Sequence, residues 1–209
     1  DALLVFRRDG TLERAWRVPA DIYGRNYDLQ ADDDLRQHYI HNDLQLAHVN
    51  CGEPTPRGLL CTSLIPGAIG LFDPQGRYRE ILRGYVGCHS ARWDRVTDTL
   101  YFCDSCNGNV IEIDWEGRIL HRTKFASSWL QDAQKFDSGR ILAGLSDQNV
   151  FTLWDTSLHQ PVWTISGEGY GQTSQFCSWA RLSAGLTQAL RAQVANRGTS
   201  GTVPPPRQP

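Results

Sequence analysis

The sequence predicts an all-β chain assembled from repeated four-stranded antiparallel units, and three observations lead there. First, residues 87–125 read as four short strands in succession: 89–93, 99–103, the alternating apolar and polar run 109–114, and 118–125, separated by polar and Gly-containing turns. Second, the text repeats at a fixed interval, because Asp73, Asp114 and Asp155 each close a third strand and stand 41 residues apart. Third, the second strands match as well, in 59–63, 100–104 and 141–145. A repeated antiparallel unit of about 40 residues with four strands is the blade of a β-propeller.

Taken in order, the chain opens with a partial blade at 1–20 that keeps only its last two strands, 2–6 and 11–18, around Arg8-Asp9-Gly10. Gly10 and Gly76 are 66 residues apart, one repeat plus an insertion of 25. Most of that insertion is 21–40, a loop expected over the channel mouth, where Tyr23, Tyr27, Tyr39 and the run Asp32-Asp33-Asp34 would overhang. Complete blades are expected at 41–83, 87–125 and 130–166, the first with its inner strand at 41–46 and a plain loop at 49–57 on the opposite face. A further blade begins at 172–181 and then loses the pattern. Leu182, Leu186, Leu190 and Val194 fall at helical spacing in a short helix at 182–196, and the Gly/Ser/Thr/Pro-rich stretch 197–209 is expected to be disordered. Such a set of blades leaves sheet edges open, so the sequence is expected to be a fragment of a larger propeller.

With 40% hydrophobic and 21% charged residues and a net charge of -2, the chain has the balance of a globular domain and offers no basic surface for nucleic acid or anionic membrane. Its longest apolar run is far below the roughly 18 residues that a membrane helix needs, and no secretory leader is visible in the given chain. Six cysteines at irregular spacing do not make a disulfide framework, which leans toward a reducing cytoplasm. Cys103-Asp-Ser-Cys106 lacks the second pair that a zinc ribbon requires.

Chemistry is expected where inner strands begin, because their first residues ring one axis. Aligning the repeats gives His41-Asn42, Cys88-His89, Gln131-Asp132 and Ser174-Gln175. Asn42, His89 and Asp132 are candidate metal ligands: oxygens favour calcium or magnesium, and His89 favours zinc, iron or manganese. His41, Gln131, Gln175 and Tyr39 are candidate contacts to a small polar substrate. The loops after the second strands bring Ser63, Asp104, Ser105, Ser146 and Asp147 toward the same mouth, and Asp132 and Asp104 are the candidate general bases. Polar residues lining a water-filled channel are the alternative reading. His48, His121 and His159 are expected to be solvated. No nucleophile elbow, phosphate loop, zinc-protease motif or dinucleotide fingerprint occurs.

The segments His89-Ser-Ala-Arg-Trp93, Thr99-Leu-Tyr-Phe-Cys-Asp104 and Ile113-Asp114 resemble six-bladed propellers of the senescence marker protein/gluconolactonase and NHL-repeat type. Residues 131–142 are similar to that group and, more weakly, to arylsulfotransferase-like propellers, where Gln131 stands in place of the acceptor histidine. The resemblance implies six blades in an intact ring and a divalent metal, calcium foremost, with Asp132 matching a ligand aspartate and His89 at an asparagine position. It also implies metal-polarised hydrolysis of an ester or lactone. A non-catalytic propeller that binds a ligand or a protein partner on one face is the competing expectation.

Overall fold

The computed structural model describes residues 2–19, 47–137 and 139–166. The elements expected at 21–40, 41–46, 172–181, 182–196 and 197–209 lie outside these residues. The described residues belong to one compact unit, and sixteen short elements fill it: fourteen strands and two single-turn 3₁₀ helices.

Strands β1 (Ala2–Phe6) and β2 (Leu12–Arg17) make a two-stranded antiparallel sheet. Three four-stranded sheets follow. The first runs β3 (Val49–Thr55), β4 (Gly58–Ser63), β5 (Ala68–Phe72), β6 (Tyr78–Leu82). The second runs β7 (Cys88–Asp94), β8 (Thr99–Asp104), β9 (Asn109–Ile113), β10 (Ile119–Lys124). The third runs β11 (Leu130–Asp137), β12 (Arg140–Leu145), β13 (Val150–Asp155), β14 (Gln160–Ser166). In each, strand order equals chain order, and β3, β7 and β11, the first strands, lie against one another across sheets. Four-stranded meanders set side by side with their first strands innermost are the blades of a β-propeller.

The turns explain the repeat. Asp73 Oδ1 accepts the backbone N–H groups of Gln75 and Arg77 at 2.9 Å each, while Arg77 Nε reaches Asp73 Oδ2 at 2.6 Å. Asp114 does the same for Glu116 and Arg118, at 3.0 and 2.9 Å, with Arg118 Nε at 2.6 Å. An aspartate that closes its own turn this way reads as Asp-x-x-Gly-Arg in sequence. In the third sheet Asp155 Oδ1 takes the N–H groups of Ser157 and Leu158 instead.

Alternation supplies the cores. Leu100 and Phe102 of β8 pack toward the preceding sheet with Leu60, Ile69, Leu71, Ile111 and Ile113. The intervening Tyr101 and Cys103 face the following sheet with Val110, Phe125, Leu130, Ile141 and Ala143. Both faces are buried, so β8 reads as the continuous run Leu-Tyr-Phe-Cys rather than as alternating apolar and polar.

The expectation of a loop at 49–57 is corrected. Val49–Thr55 is strand β3, paired with β4 from Val49↔Ser63 to Thr55↔Gly58. Pro54 is tolerated because β3 is an edge of its sheet, where one side of the ladder needs no N–H. The turn closes at Gly58, φ +135°, where a β-carbon would stand 1.9 Å from the Phe72 carbonyl oxygen.

Candidate site at the start of the inner strands

Each inner strand begins with a ladder pair: Val49↔Ser63, Cys88↔Asp104 and Leu130↔Leu145. The next residues are Asn50, His89 and Gln131. Asp132 comes one place later, level with Cys51 and Ser90. Each strand carries a bulge here, between Val49 and Cys51, between His89 and Arg92, and between Leu130 and Asp132. A bulge turns side chains out of the regular pleat and re-aims them.

His89 is buried, with 6% of its surface exposed. Its Nδ1 lies 2.9 Å from the Gly87 carbonyl oxygen and 2.9 Å from Ser105 Oγ, and Ser105 Oγ donates to the Leu130 carbonyl at 2.6 Å. A carbonyl only accepts, so Nδ1 carries the proton and Nε2 the lone pair. Burial pushes the imidazole below its ordinary pKa, against the upward pull of the Gly87 carbonyl bond, and keeps the ring neutral at pH 7. Among the described residues Nε2 has no hydrogen-bond partner, and it is not sealed from solvent, so it is an open acceptor.

Trp129 organises the rest. Its ring meets His89 edge-on, centroids 5.5 Å apart at 70°, and its Nε1 donates to Gln131 Oε1 at 2.6 Å. That bond fixes the amide and leaves Gln131 Nε2 as a donor without a partner among the described residues, also open to solvent. Trp129 thus holds an acceptor, His89 Nε2, and a donor, Gln131 Nε2. Sequence reasoning placed His48 among solvated histidines. Here its Nδ1 is buried, burial lowers its pKa, and its charge is felt at His89.

Other predicted residues are occupied by structural bonds. Asp132 has no exposed side-chain surface, and both its oxygens take Arg92 Nη2, at 3.1 and 3.0 Å, while Oδ1 also accepts the Ala133 N–H at 2.8 Å. Burial raises its pKa against the opposing pull of Arg92. Asp104 Oδ1 accepts from Val86 N and Asn107 Nδ2, and Oδ2 from Asn107 and Asn109. It fastens the 3₁₀ turn Ser105–Asn107 to the preceding loop. Asp147 is likewise held by Ser127 and Ser128. Asn50, which sequence reasoning missed inside its supposed loop, donates to the Cys88 carbonyl at 3.2 Å and accepts from Thr62 Oγ1. Tyr39, His41, Asn42 and Gln175 lie outside the described residues.

A divalent metal at His89, Asp132 and Asn42 needs carboxylate oxygens free to coordinate. Asp132 does not supply them, because Arg92 and the Ala133 amide already take both of its oxygens. Among the described residues, no group of three or more His, Cys, Asp or Glu side chains is arranged to hold a metal ion.

No protein-family profile and no curated protein matches the chain. Solved structures do. A nidogen/laminin complex matches at 12% identity and a TM-score of 0.46, covering 55% of this chain and 44% of that one. Virginiamycin B lyase from Staphylococcus aureus matches at 13% identity and a TM-score of 0.53, covering 80% and 49%. A streptogramin B lyase matches at 10% identity and a TM-score of 0.47, covering 59% and 42%. The chain spans about half the length, or less, of these solved chains. At such identity the likeness is one of fold, and the similarity to the S. aureus structure is to a propeller-like protein.

Proposed function

We propose that this propeller binds a small polar molecule where its inner strands begin, with His89 Nε2 as acceptor and Gln131 Nε2 as donor. One observation carries the reading: His89 is buried and neutral, with its proton fixed on Nδ1 by the Gly87 carbonyl and its other nitrogen left open.

Ester or lactone hydrolysis is the finer form of the proposal. The metal route that the family resemblance implies finds no carboxylate ligand in Asp132, so no step is drawn through a metal. His89 itself is a base of suitable character: a neutral imidazole can take the proton of a water attacking a bound carbonyl. Asp104 and Asp132 stay in their structural bonds. The test is calorimetric titration of δ-gluconolactone and of gluconate into the wild-type protein and His89→Gln, with lactone hydrolysis followed in parallel. Saturable heat that disappears in the variant supports the reading. Equal heats from both proteins, or none from either, refute it. Lactone turnover that survives chelation but not the substitution makes His89 the base, while binding without turnover makes the chain a binding module.

A further inference from the structure

At the other end of the same strands lies a cavity of about 310 Å³, lined by Glu53, Arg92, Trp93, Asp94, Arg95, Tyr101, Gln134 and Lys135. Two of its charges are already matched. Lys135 Nζ sits 2.9 Å from Asp94 and 2.8 Å from Glu112, and Arg92 Nη2 is spent on Asp132. Four groups are left without a hydrogen bond among the described residues. Arg92 Nη1 forms a long ion pair with Glu53 Oε2 at 3.9 Å, beyond hydrogen-bond reach, and makes no hydrogen bond among the described residues. Beyond that ion pair the Glu53 carboxylate has no hydrogen bond among the described residues, although 77% of its side-chain surface is covered. Arg95 has no carboxylate partner within ion-pair distance among the described residues, and its guanidinium lies over Trp93 at 5.4 Å. The Gln134 amide makes no hydrogen bond among the described residues.

We infer that this cavity is a binding site for a small zwitterion of the amino-acid class, its carboxylate taken by Arg95 and Arg92 Nη1 and its ammonium by Glu53. An anion alone would meet Glu53, and a cation alone would meet two guanidinium groups. A molecule carrying both charges a few ångströms apart satisfies all of them, with Gln134 able to donate or accept at either end. Guanidinium groups, one of them stacked on an indole, suit a planar carboxylate. The volume suits an amino acid, with each water displaced worth about 30 Å³. Two pairs of opposite charge crossing the same cavity fix the ligand's direction, so the site selects for the order of the charges as well as their sum.

The test uses the intact chain and the twenty L-amino acids, added singly at millimolar concentration while thermal unfolding is followed. For the strongest stabiliser, the N-acetyl and the carboxamide forms are then titrated. The expected result is saturable binding by at least one amino acid, weakened about tenfold or more by blocking either end, as for loss of a hydrogen bond between charged groups. Arg95→Gln and Glu53→Gln should weaken it similarly. Neither side chain makes a hydrogen bond among the described residues, and only the long 3.9 Å ion pair to Arg92 is lost with Glu53, so both variants should remain folded, with wild-type circular dichroism as the check. No stabilisation by any amino acid overturns the inference. Equal binding of the N-acetyl form overturns the zwitterion and leaves a site for simple carboxylates. Binding that persists in both variants but is lost in His89→Gln overturns it in favour of the histidine end of the strands.

Discussion

Replacing Arg92 by methionine should be among the most damaging single changes in this chain, and the structure gives the size. Arg92 Nη2 stands 3.1 and 3.0 Å from the two oxygens of Asp132, whose side chain has no exposed surface. At an effective dielectric constant of about 20, two unit charges 3 Å apart attract by roughly 5 kcal/mol. That attraction is largely consumed by the cost of taking both ions out of water, so the pair itself contributes little net stability. Removing one partner is different. It strands a carboxylate with no solvent to turn to, and Arg92→Met should cost about 3–5 kcal/mol. The paired change Arg92→Met with Asp132→Leu removes both charges and should return to within about 1 kcal/mol of wild type. Urea unfolding followed by tryptophan fluorescence measures all three proteins. Acid should also rescue the single variant. Burial already raises the folded-state pKa of Asp132 above its ordinary 3.8, and losing Arg92 raises it further. A raised folded-state value means that the stability contribution is fully present below about pH 3.8 and is lost as pH climbs through that raised value. A single variant that loses less than about 1 kcal/mol, or a double variant no better than the single, would refute the view that Arg92 exists to neutralise a buried carboxylate.

Two other outcomes follow from residues already described. Burial lowers the pKa of His89 and of His48 below 6.5, so each contributes stability that is present above that pH and is lost as pH falls through the depressed folded-state value. The melting temperature should therefore drop on acidification below about pH 6.5, and His89→Gln should flatten part of that slope while His48 retains the remainder; an unchanged slope means that His89 does not titrate as argued. Phe102 is fully buried between the first and second four-stranded sheets, and Phe102→Ala should cost about 3–5 kcal/mol in the same urea assay, whereas a loss under about 1 kcal/mol would mean that the two faces of β8 are not packed as described.

The outer parts of each blade were legible because their chemistry is local. Asp73, Asp114 and Asp155 close turns with their own side chains, so the spacing of 41 residues survives in plain text. The inner strand of the first four-stranded sheet was not legible. Gly52, Pro54 and Pro56 surround Glu53 with residues that usually mark loops, and only the long-range pairing to β4 shows that Val49–Thr55 is extended. His89 was found because inner strands begin with channel residues in this fold. The roles of Asp132 and Asp104 could not be read, since a carboxylate in sequence looks the same whether it waits for a ligand or is held by Arg92 or by Asn107 and Asn109. Arg92 passed as the polar member of an alternating strand, and its partners, Asp132 at 40 positions away and Glu53 at 39, become neighbours only once three sheets stand side by side.

The extra residue that each inner strand carries near its start separates two kinds of sequence freedom. Next to it, Ala91 is buried in the core between the first and second four-stranded sheets and Ala133 in the core between the second and third, so a larger side chain at either disturbs the packing of two blades. At it, Asn50, His89 and Gln131 occupy comparable places yet share no chemistry, one clamping the next strand, one presenting a lone pair, one an amide. The blade thus behaves like a socket with a fixed body and an exchangeable pin. A lineage built on this scaffold can acquire a new ligand by swapping single pins, one blade at a time, without renegotiating how the sheets pack.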